Sequence, residues 1–236
     1  AHADLVIEAR EVAVSDDYPI RKMPSRVATL EKVAPDVVVM TLQLPANETL
    51  KFRAGQYIEF MLRDGKRRSY SIASAPRTDC SFDLCVQIND ERMQAFFASG
   101  EPADYDLELS PPAGSFFVPP HSVPSVLLAG GSGITPLKAI LEERSAHDAP
   151  STLLYACADD AEIPFYEELK ALESPSTVLL FFADRVSLGR AQAGRMTQRL
   201  GDFLNSQAVY LLCGPPLFLE STQTFLLQGG IPIERI

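Results

Sequence analysis

The sequence predicts a β barrel plus an α/β unit: an antiparallel barrel in the first half, then a parallel sheet flanked by helices. Three observations carry that expectation. Between residues 25 and 88 the chain falls into short runs rich in β-branched and aromatic residues, separated by Pro, Asn or Gly. Pro119, Pro120 and Pro124 then stiffen a connection, since proline is excluded from central strands and helix interiors. From Val126 onward apolar runs alternate with helical stretches, the pattern of parallel strands covered on both faces.

In chain order, residues 1–24 begin Ala-His-Ala-Asp and show little regular patterning, so they read as a leader or linker. The barrel half, 25–120, opens with SRVATLEKV and continues with DVVVMTLQL after Ala34-Pro35, then GQYIEFML from Gly55. RRSYSIAS follows Asp64-Gly65, and SFDLCVQI follows Cys80. A short helix over 91–99 and a strand over 106–109 complete it, before a loop at Pro111-Pro112-Ala113-Gly114. The second half, 121–236, predicts strands at 126–129, 152–157, 177–183 and 208–213, with helices near 135–146, 164–172, 195–204 and 216–228.

At 236 residues with 46% hydrophobic content, the chain can fill two ordinary cores. A formal net charge of −10 argues against nucleic-acid and anionic-membrane partners, which would have to overcome long-range repulsion. No apolar run approaches the roughly 18 residues of a membrane span, and no secretion signal opens the chain, so a cytoplasmic location is expected. Cysteines stand at 80, 85, 157 and 213, without CxxC spacing and without a histidine cluster, so neither a zinc site nor a disulfide framework is expected. Cys80 and Cys85 have the first interval of a C-x4-C-x2-C cluster pattern, but its third position falls on Ile88, and no metal is assigned to them.

Two stretches carry chemistry. VLLAGGSGITP, at 126–136, reads as a buried strand, a tight turn and a helix start. Glycine lets a ligand approach the backbone, and the unpaired N–H groups of a first helical turn attract a phosphate. By itself this Gly-x-Gly suits a nucleotide site and plain turn chemistry equally. Arg68-Ser69-Tyr70-Ser71 lies on a barrel strand, where alternation puts Arg68 and Tyr70 on one face and Ser69 and Ser71 on the other, unless a ligand lies across the strand edge. In isolation the Arg and Tyr read first as a cross-strand pair with a stacked guanidinium.

Taken together, Arg68-Ser69-Tyr70-Ser71, then Pro112-Ala113-Gly114-Ser115-Phe116, then Gly130-Gly131-Ser132-Gly133-Ile134-Thr135-Pro136, then Cys213-Gly214-Pro215 strongly resemble the ferredoxin–NADP reductase superfamily. Its signatures are R-x-Y-S, G-x-x-G-x-F, G-G-x-G-x-T-P and C-G-P, and only the second is imperfect, with proline where its first glycine belongs. The resemblance covers about residues 25–235. It implies a six-stranded antiparallel flavin-binding barrel followed by a parallel-sheet nicotinamide-nucleotide domain, with the flavin ring in the cleft between them. Arg68 would neutralise the flavin phosphate, Tyr70 would pack flat on the isoalloxazine, and Ser71 would hydrogen-bond near its N5. Ser69, Gln87 and Ile88 join the cofactor-binding set. Gly130, Gly131, Gly133 and Thr135 would hold the nicotinamide cofactor, while Cys213, Gly214 and Pro215 line the nicotinamide pocket. Tyr70, Ser71 and Cys213 are the expected catalytic residues, Cys213 packing beside the reacting carbon without acting as a nucleophile. The implied reaction is hydride transfer from nicotinamide C4 to flavin N5, then electron delivery onward.

Three departures shape the expectation. Asp90-Glu91-Arg92-Met93 stands where FAD-binding members carry Gly-x-x-Ser/Thr, which leaves FAD, FMN and a flavin used as substrate all open. The chain ends at IPIERI, short of the aromatic residue that members usually place near the flavin. ADLVIEARE at 3–11 resembles the segment that follows a plant-type 2Fe-2S domain in oxygenase and deoxysugar reductases, so such a domain is expected outside these residues. Asp159-Asp160 after the second strand of the α/β half leans towards NADH, and Arg185 after the third leaves NADPH open. The leading expectation is an NAD(P)H-dependent flavoprotein reductase serving a ferredoxin-like domain or an oxygenase component. A free-flavin reductase releasing reduced FMN or FAD, and a non-catalytic flavin- and nucleotide-binding module, stand beside it.

Overall fold

The computed structural model describes residues 23–34, 37–46, 48, 50–61, 67–88, 106–117 and 119–236. The first strands form because alternate apolar residues turn into a common interior: β2 (Val37–Gln43) contributes Met40 and Leu42, with Val39 buried on its other face, and β5 (Ser81–Gln87) contributes Phe82, Leu84 and Val86. With β1 (Met23–Ala34), β3 (Tyr57–Met61), β4 (Arg67–Ser71) and β6 (Asp106–Leu109) they make an antiparallel sheet in the order β4-β3-β6-β1-β2-β5. Its two edges meet. Ile72 bridges Leu84, the Ala73 N–H donates to the Asp83 carbonyl at 2.7 Å, and the Asp83 N–H donates to Ser74 Oγ at 3.0 Å. Arg77 clamps the Asp83 carboxylate through both terminal nitrogens, at 3.1 and 2.5 Å. The sheet is thereby closed into a barrel around Val27, Met40, Leu42, Ile58, Ile72, Phe82, Leu84 and Leu109, all buried.

The second half is a parallel sheet in the order β10-β9-β8-β7-β11. β7 (Ser125–Gly130) is buried along its whole length, as a central parallel strand must be. β8 (Ser151–Asp159), β9 (Thr177–Arg185) and the two-residue β10 (Gln192–Ala193) extend the sheet on one side of it, and β11 (Val209–Cys213) lies on the other. The order therefore reverses between β7 and β11, the switch point at which such sheets open a crevice. Helices α1 (Ile134–Ser145), α2 (Tyr166–Ala171), α3 (Thr197–Leu200) and α4 (Pro216–Gln228) connect the strands. No helix among the described residues is long and apolar enough to cross a membrane.

Helix α1 is buried on nearly every side, residues 134–141 and Arg144 included. The reason is its place: one hydrophobic cluster joins Ile134, Leu137 and Ile140 to β7 and β8 and also to Val39, Ala54 and Ala73 of the barrel. Arg144, fully buried, fastens the connection between the halves. Its Nη1 donates to the carbonyl of Pro119 at 3.2 Å, Nη2 to those of Val123 at 2.7 Å and Pro150 at 2.9 Å, and Nε to Ser151 Oγ at 2.8 Å. Burial lowers the pKa of this guanidinium, whose charge is held by backbone oxygens.

Three expectations change in detail. The helix expected over 195–204 is one α-turn followed by a 3-10 turn at Gly201–Phe203. The helix expected from 164 begins at Tyr166, because Phe165 adopts a left-handed φ of 61° directly after Pro164. Strand β10 is unannounced, since two residues carry no periodicity. The helix expected over 91–99 and the segment at 90–93 lie outside the described residues.

Candidate functional site

A cleft of about 730 Å³ opens between the barrel and the parallel sheet. That is ample for a cofactor-sized ligand. Its barrel wall is Arg68, Ser69, Tyr70 and Ser71 of β4, with Val37, Cys85 and Gln87. All four β4 residues line it, so alternation does not divide them into an inner and an outer pair. β4 stands at one end of the sheet order and is paired in register with β3 among the described residues. Tyr70 is half-buried, packed against the barrel core while it also lines the cleft. The Ser69 hydroxyl reaches its cross-strand neighbour Glu59 at 3.4 Å.

The opposite wall is the glycine turn and the start of α1, residues 131–136, with Cys213 and Gly214 beside them. Each glycine has its own reason. A Cβ on Gly133 would lie 2.1 Å from the Cys213 carbonyl oxygen, so Gly133 exists to let the turn touch the end of β11. Cβ atoms on Gly130 and Gly214 would meet the Phe218 ring of α4 at 2.8 and 2.7 Å. Gly131 differs: its φ of 53° favours glycine, and a Cβ there would meet nothing within 4 Å. Three of these glycines are therefore packing residues, and Gly131 is the one that leaves space for a ligand. Helix α1 starts without a side-chain cap and without an acidic residue in its first turn, so its positive end is uncompensated where it borders the cleft. Thr135 is buried and its hydroxyl donates to the Ser132 carbonyl at 3.0 Å, which shapes the turn from within.

Burial raises the pKa of the Cys213 thiol, partly offset by the Gly214 N–H, which suits a packing residue and not a nucleophile. Cys157, at the end of β8, is pushed up to about 11 by burial and by nearby acids, Asp160 foremost. None of the four cysteines is joined in a disulfide. Of the expected residues, Ile88, Gly130 and Pro215 do not line the cleft, although each neighbours one that does. Tyr155, Cys157, Glu162 and Pro164 line it without having been singled out. Tyr155 and Cys157 sit towards the carboxyl end of β8 and Glu162 and Pro164 just beyond it, so the rule that ligands bind at that rim was the signal that reached them.

The acids behind the NADH expectation are engaged within the protein. Asp159 holds Arg185 and takes the Ala161 N–H at 2.9 Å, and its pKa is lowered by those bonds, the Ala161 N–H first. Asp160 is fully buried and accepts N–H groups from Ser187, Leu188 and Arg190 at 2.7, 3.0 and 2.7 Å. Burial alone would raise its pKa, but those three donors hold it far below the usual carboxylate range.

The residues present fit a flavin and a nicotinamide nucleotide. An arginine and an aromatic face stand on one wall, and an uncapped helix start behind an open glycine stands on the other. Residues 24–117 match the model of an oxidoreductase FAD-binding domain, and residues 127–224 that of an oxidoreductase NAD-binding domain. Reductase component 1 of terephthalate 1,2-dioxygenase from a Comamonas species is 26% identical over 98% of this chain and 71% of its own length. The CDP-6-deoxy-L-threo-D-glycero-4-hexulose-3-dehydrase reductase of Yersinia pseudotuberculosis is 35% identical over 60% of this chain, a match spanning 43% of that relative. Among solved structures, an Amycolatopsis cytochrome P450 reductase shares the fold, with a TM-score of 0.81 at 24% identity over 93% of this chain and 69% of its own. With an FAD-binding barrel followed in order by an NAD-binding parallel sheet, the chain belongs to the ferredoxin–NADP reductase superfamily and is an NAD(P)H-dependent flavoprotein oxidoreductase.

Proposed function

We propose that the chain binds FAD along β4, takes electrons from NADH held at the glycine turn, and delivers them to a 2Fe-2S ferredoxin-like domain or an oxygenase component. The observation that carries this reading is that strand 68–71 and turn 131–136, far apart in sequence, line one cleft. The flavin, when bound, supplies the redox chemistry, taking two electrons together and releasing them singly.

The chain's own residues bind and orient. Arg68 offers a fork of donors to a phosphate, and Tyr70 offers a rigid aromatic face for the ring to stack on. Ser71 supplies a hydroxyl at the flavin edge, with Ser69 and Gln87 on the same wall and Ile88 behind it, packed on the barrel core. Gly131 admits the nucleotide to the backbone, with Gly130, Gly133 and Thr135 holding the turn. Cys213 and Gly214 close the nicotinamide side, the neutral thiol excluding water, with Pro215 behind them at the start of α4. On this reading residues 25–120 are the flavin part and 121–236 the nucleotide part, while 1–24 lead from a ferredoxin-like partner domain. NADH is favoured because Arg185, the cation that would serve a 2′-phosphate, is already paired with Asp159. The acceptor class is supported by what the relatives are: reductase components of a dioxygenase and of a dehydrase.

The test is spectroscopic. The purified chain should carry a yellow flavin spectrum that bleaches on anaerobic addition of NADH. Reduction only of added flavin would mean a free-flavin reductase, and no bleaching in either case would refute both enzymatic readings.

A further inference from the structure

Lys138 lies on α1, three residues beyond Thr135, and its side chain is 1% exposed. A buried ammonium is unexpected on a helix packed among apolar residues. Its contacts give a reason. Nζ is 2.5 Å from Glu142 Oε1, 2.9 Å from Glu168 Oε2 of α2 and 3.3 Å from the Ala73 carbonyl oxygen, and it sits 4.9 Å over the Phe165 ring. The second oxygen of Glu142 accepts the Ala75 N–H at 2.9 Å. Burial alone would lower the Lys138 pKa; Glu142 and then Glu168 reverse this, so it is raised and the charge is kept.

Lys138 lines no part of the cleft, yet it is joined to both of its walls and to the segment after β8 that also borders it. Ala73 and Ala75 lie two and four residues beyond the end of β4, on a segment that is also hydrogen-bonded to Asp83 of β5. Helix α1 carries the glycine turn. Phe165 and Glu168 follow Glu162 and Pro164, which line the cleft beyond the end of β8. Elsewhere along this contact α1 packs Ile134, Leu137 and Ile140 with Val39, Ala54 and Ala73 of the barrel. Apolar contact is non-directional and tolerates sliding, whereas hydrogen bonds fix distance and angle.

We propose that Lys138, with Glu142, is a positioning residue that sets the register of the Tyr70–Ser71 strand against the glycine turn, and hence the approach of nicotinamide to flavin. The inference rests on the flavoprotein-reductase reading and adds a residue to it. Small misplacements of reacting groups cost rate far more than they cost binding, on the order of 100-fold for about 1 Å. Lys138→Met keeps the length of the side chain and removes its charge and donors.

The experiment has two readouts. In the chain without flavin, hydrogen exchange at the Ala73 and Ala75 amides should accelerate about tenfold or more in Lys138→Met, while amides of β7 and β8 keep their protection. In the flavin-loaded chain, the rate of flavin reduction by NADH under anaerobic stopped flow should fall about tenfold or more. Flavin content should be unchanged and NADH affinity should hold within about threefold. Lys138→Arg should recover most of the rate. If Lys138→Met fails to fold, Glu142→Gln, which retains volume and an acceptor for Ala75, should show both effects in smaller degree. A folded Lys138→Met with unchanged exchange, or with slow reduction explained wholly by lost flavin or lost NADH affinity, overturns the proposal. Wild-type protein that NADH does not reduce overturns the functional reading instead, and the exchange readout, which needs no flavin, tells the two failures apart.

Discussion

Tyr70 packs against the barrel core and borders the cleft, so its ring has one face committed to the fold and an outlook on the ligand space. Replacing it with alanine should leave the barrel folded and weaken flavin retention about tenfold, from roughly 1–1.5 kcal/mol of lost stacking. Flavin content after gel filtration measures this, and an unchanged content would remove Tyr70 from the site. Cys157 makes a pH prediction. With its pKa raised to about 11 against an ordinary value near 8.5, its thiolate is scarce through neutral and mildly alkaline pH. Alkylation of Cys157 by iodoacetamide, followed by peptide mass spectrometry, should stay slow at pH 8 and climb only as the pH nears 11. Rapid labelling at pH 8 would contradict the burial that raises it.

At the scale of elements, the glycine turn separates two kinds of glycine by experiment. Gly133→Ala must push the turn away from Cys213, so it should cost about 1–3 kcal/mol of stability and lose NADH binding together. Gly131→Ala meets no protein atom, and its positive φ costs only about 1–2 kcal/mol, so it should remain folded while NADH affinity falls. Thermal melts with and without NADH distinguish these outcomes. Asp160 anchors residues 187–190 to the rim of β8. Its pKa is depressed in the folded state, so its stabilisation is fully present above the ordinary carboxylate pKa near 4 and is lost as pH falls through the lower folded value. Asp160→Asn should therefore loosen that loop to limited proteolysis at neutral pH, and the difference from the parent should shrink in strong acid.

Much of this was legible in sequence. The β-rich runs, the proline connection and the strand–helix rhythm announced both sheets, and VLLAGGSGITP announced the turn. What stayed hidden depended on tertiary placement. Nothing in RRSYS says that its strand borders a cleft, because a strand's place in the sheet is set by which strands pair. Nothing in the local sequence tells Gly131 from Gly133, because the Cys213 carbonyl that requires the latter comes from a distant strand. Nor does the local sequence say that Asp159 and Asp160 bind Arg185 and Ser187, because it is the pairing of β8 with β9 that brings them together.

On the scale of the whole molecule, α1 is the shared element. It is buried by the parallel sheet and by the barrel, and Arg144 at its end ties down the connection that joins them. Arg144→Met would leave the Pro119, Val123 and Pro150 carbonyls without that donor, at about 1–3 kcal/mol each where no water replaces it. The expected result is a loss of at least about 3 kcal/mol in urea unfolding, a large share of the 5–15 kcal/mol typical of a domain. The central claim, that a single cleft between barrel and sheet seats both cofactors, is tested most directly by a crystal structure of the chain with FAD and NAD⁺. It should show the isoalloxazine against Tyr70 and the nucleotide at Gly131, within the space bounded by residues 68–71, 131–136 and 213–214; density for either cofactor outside that space would contradict the account.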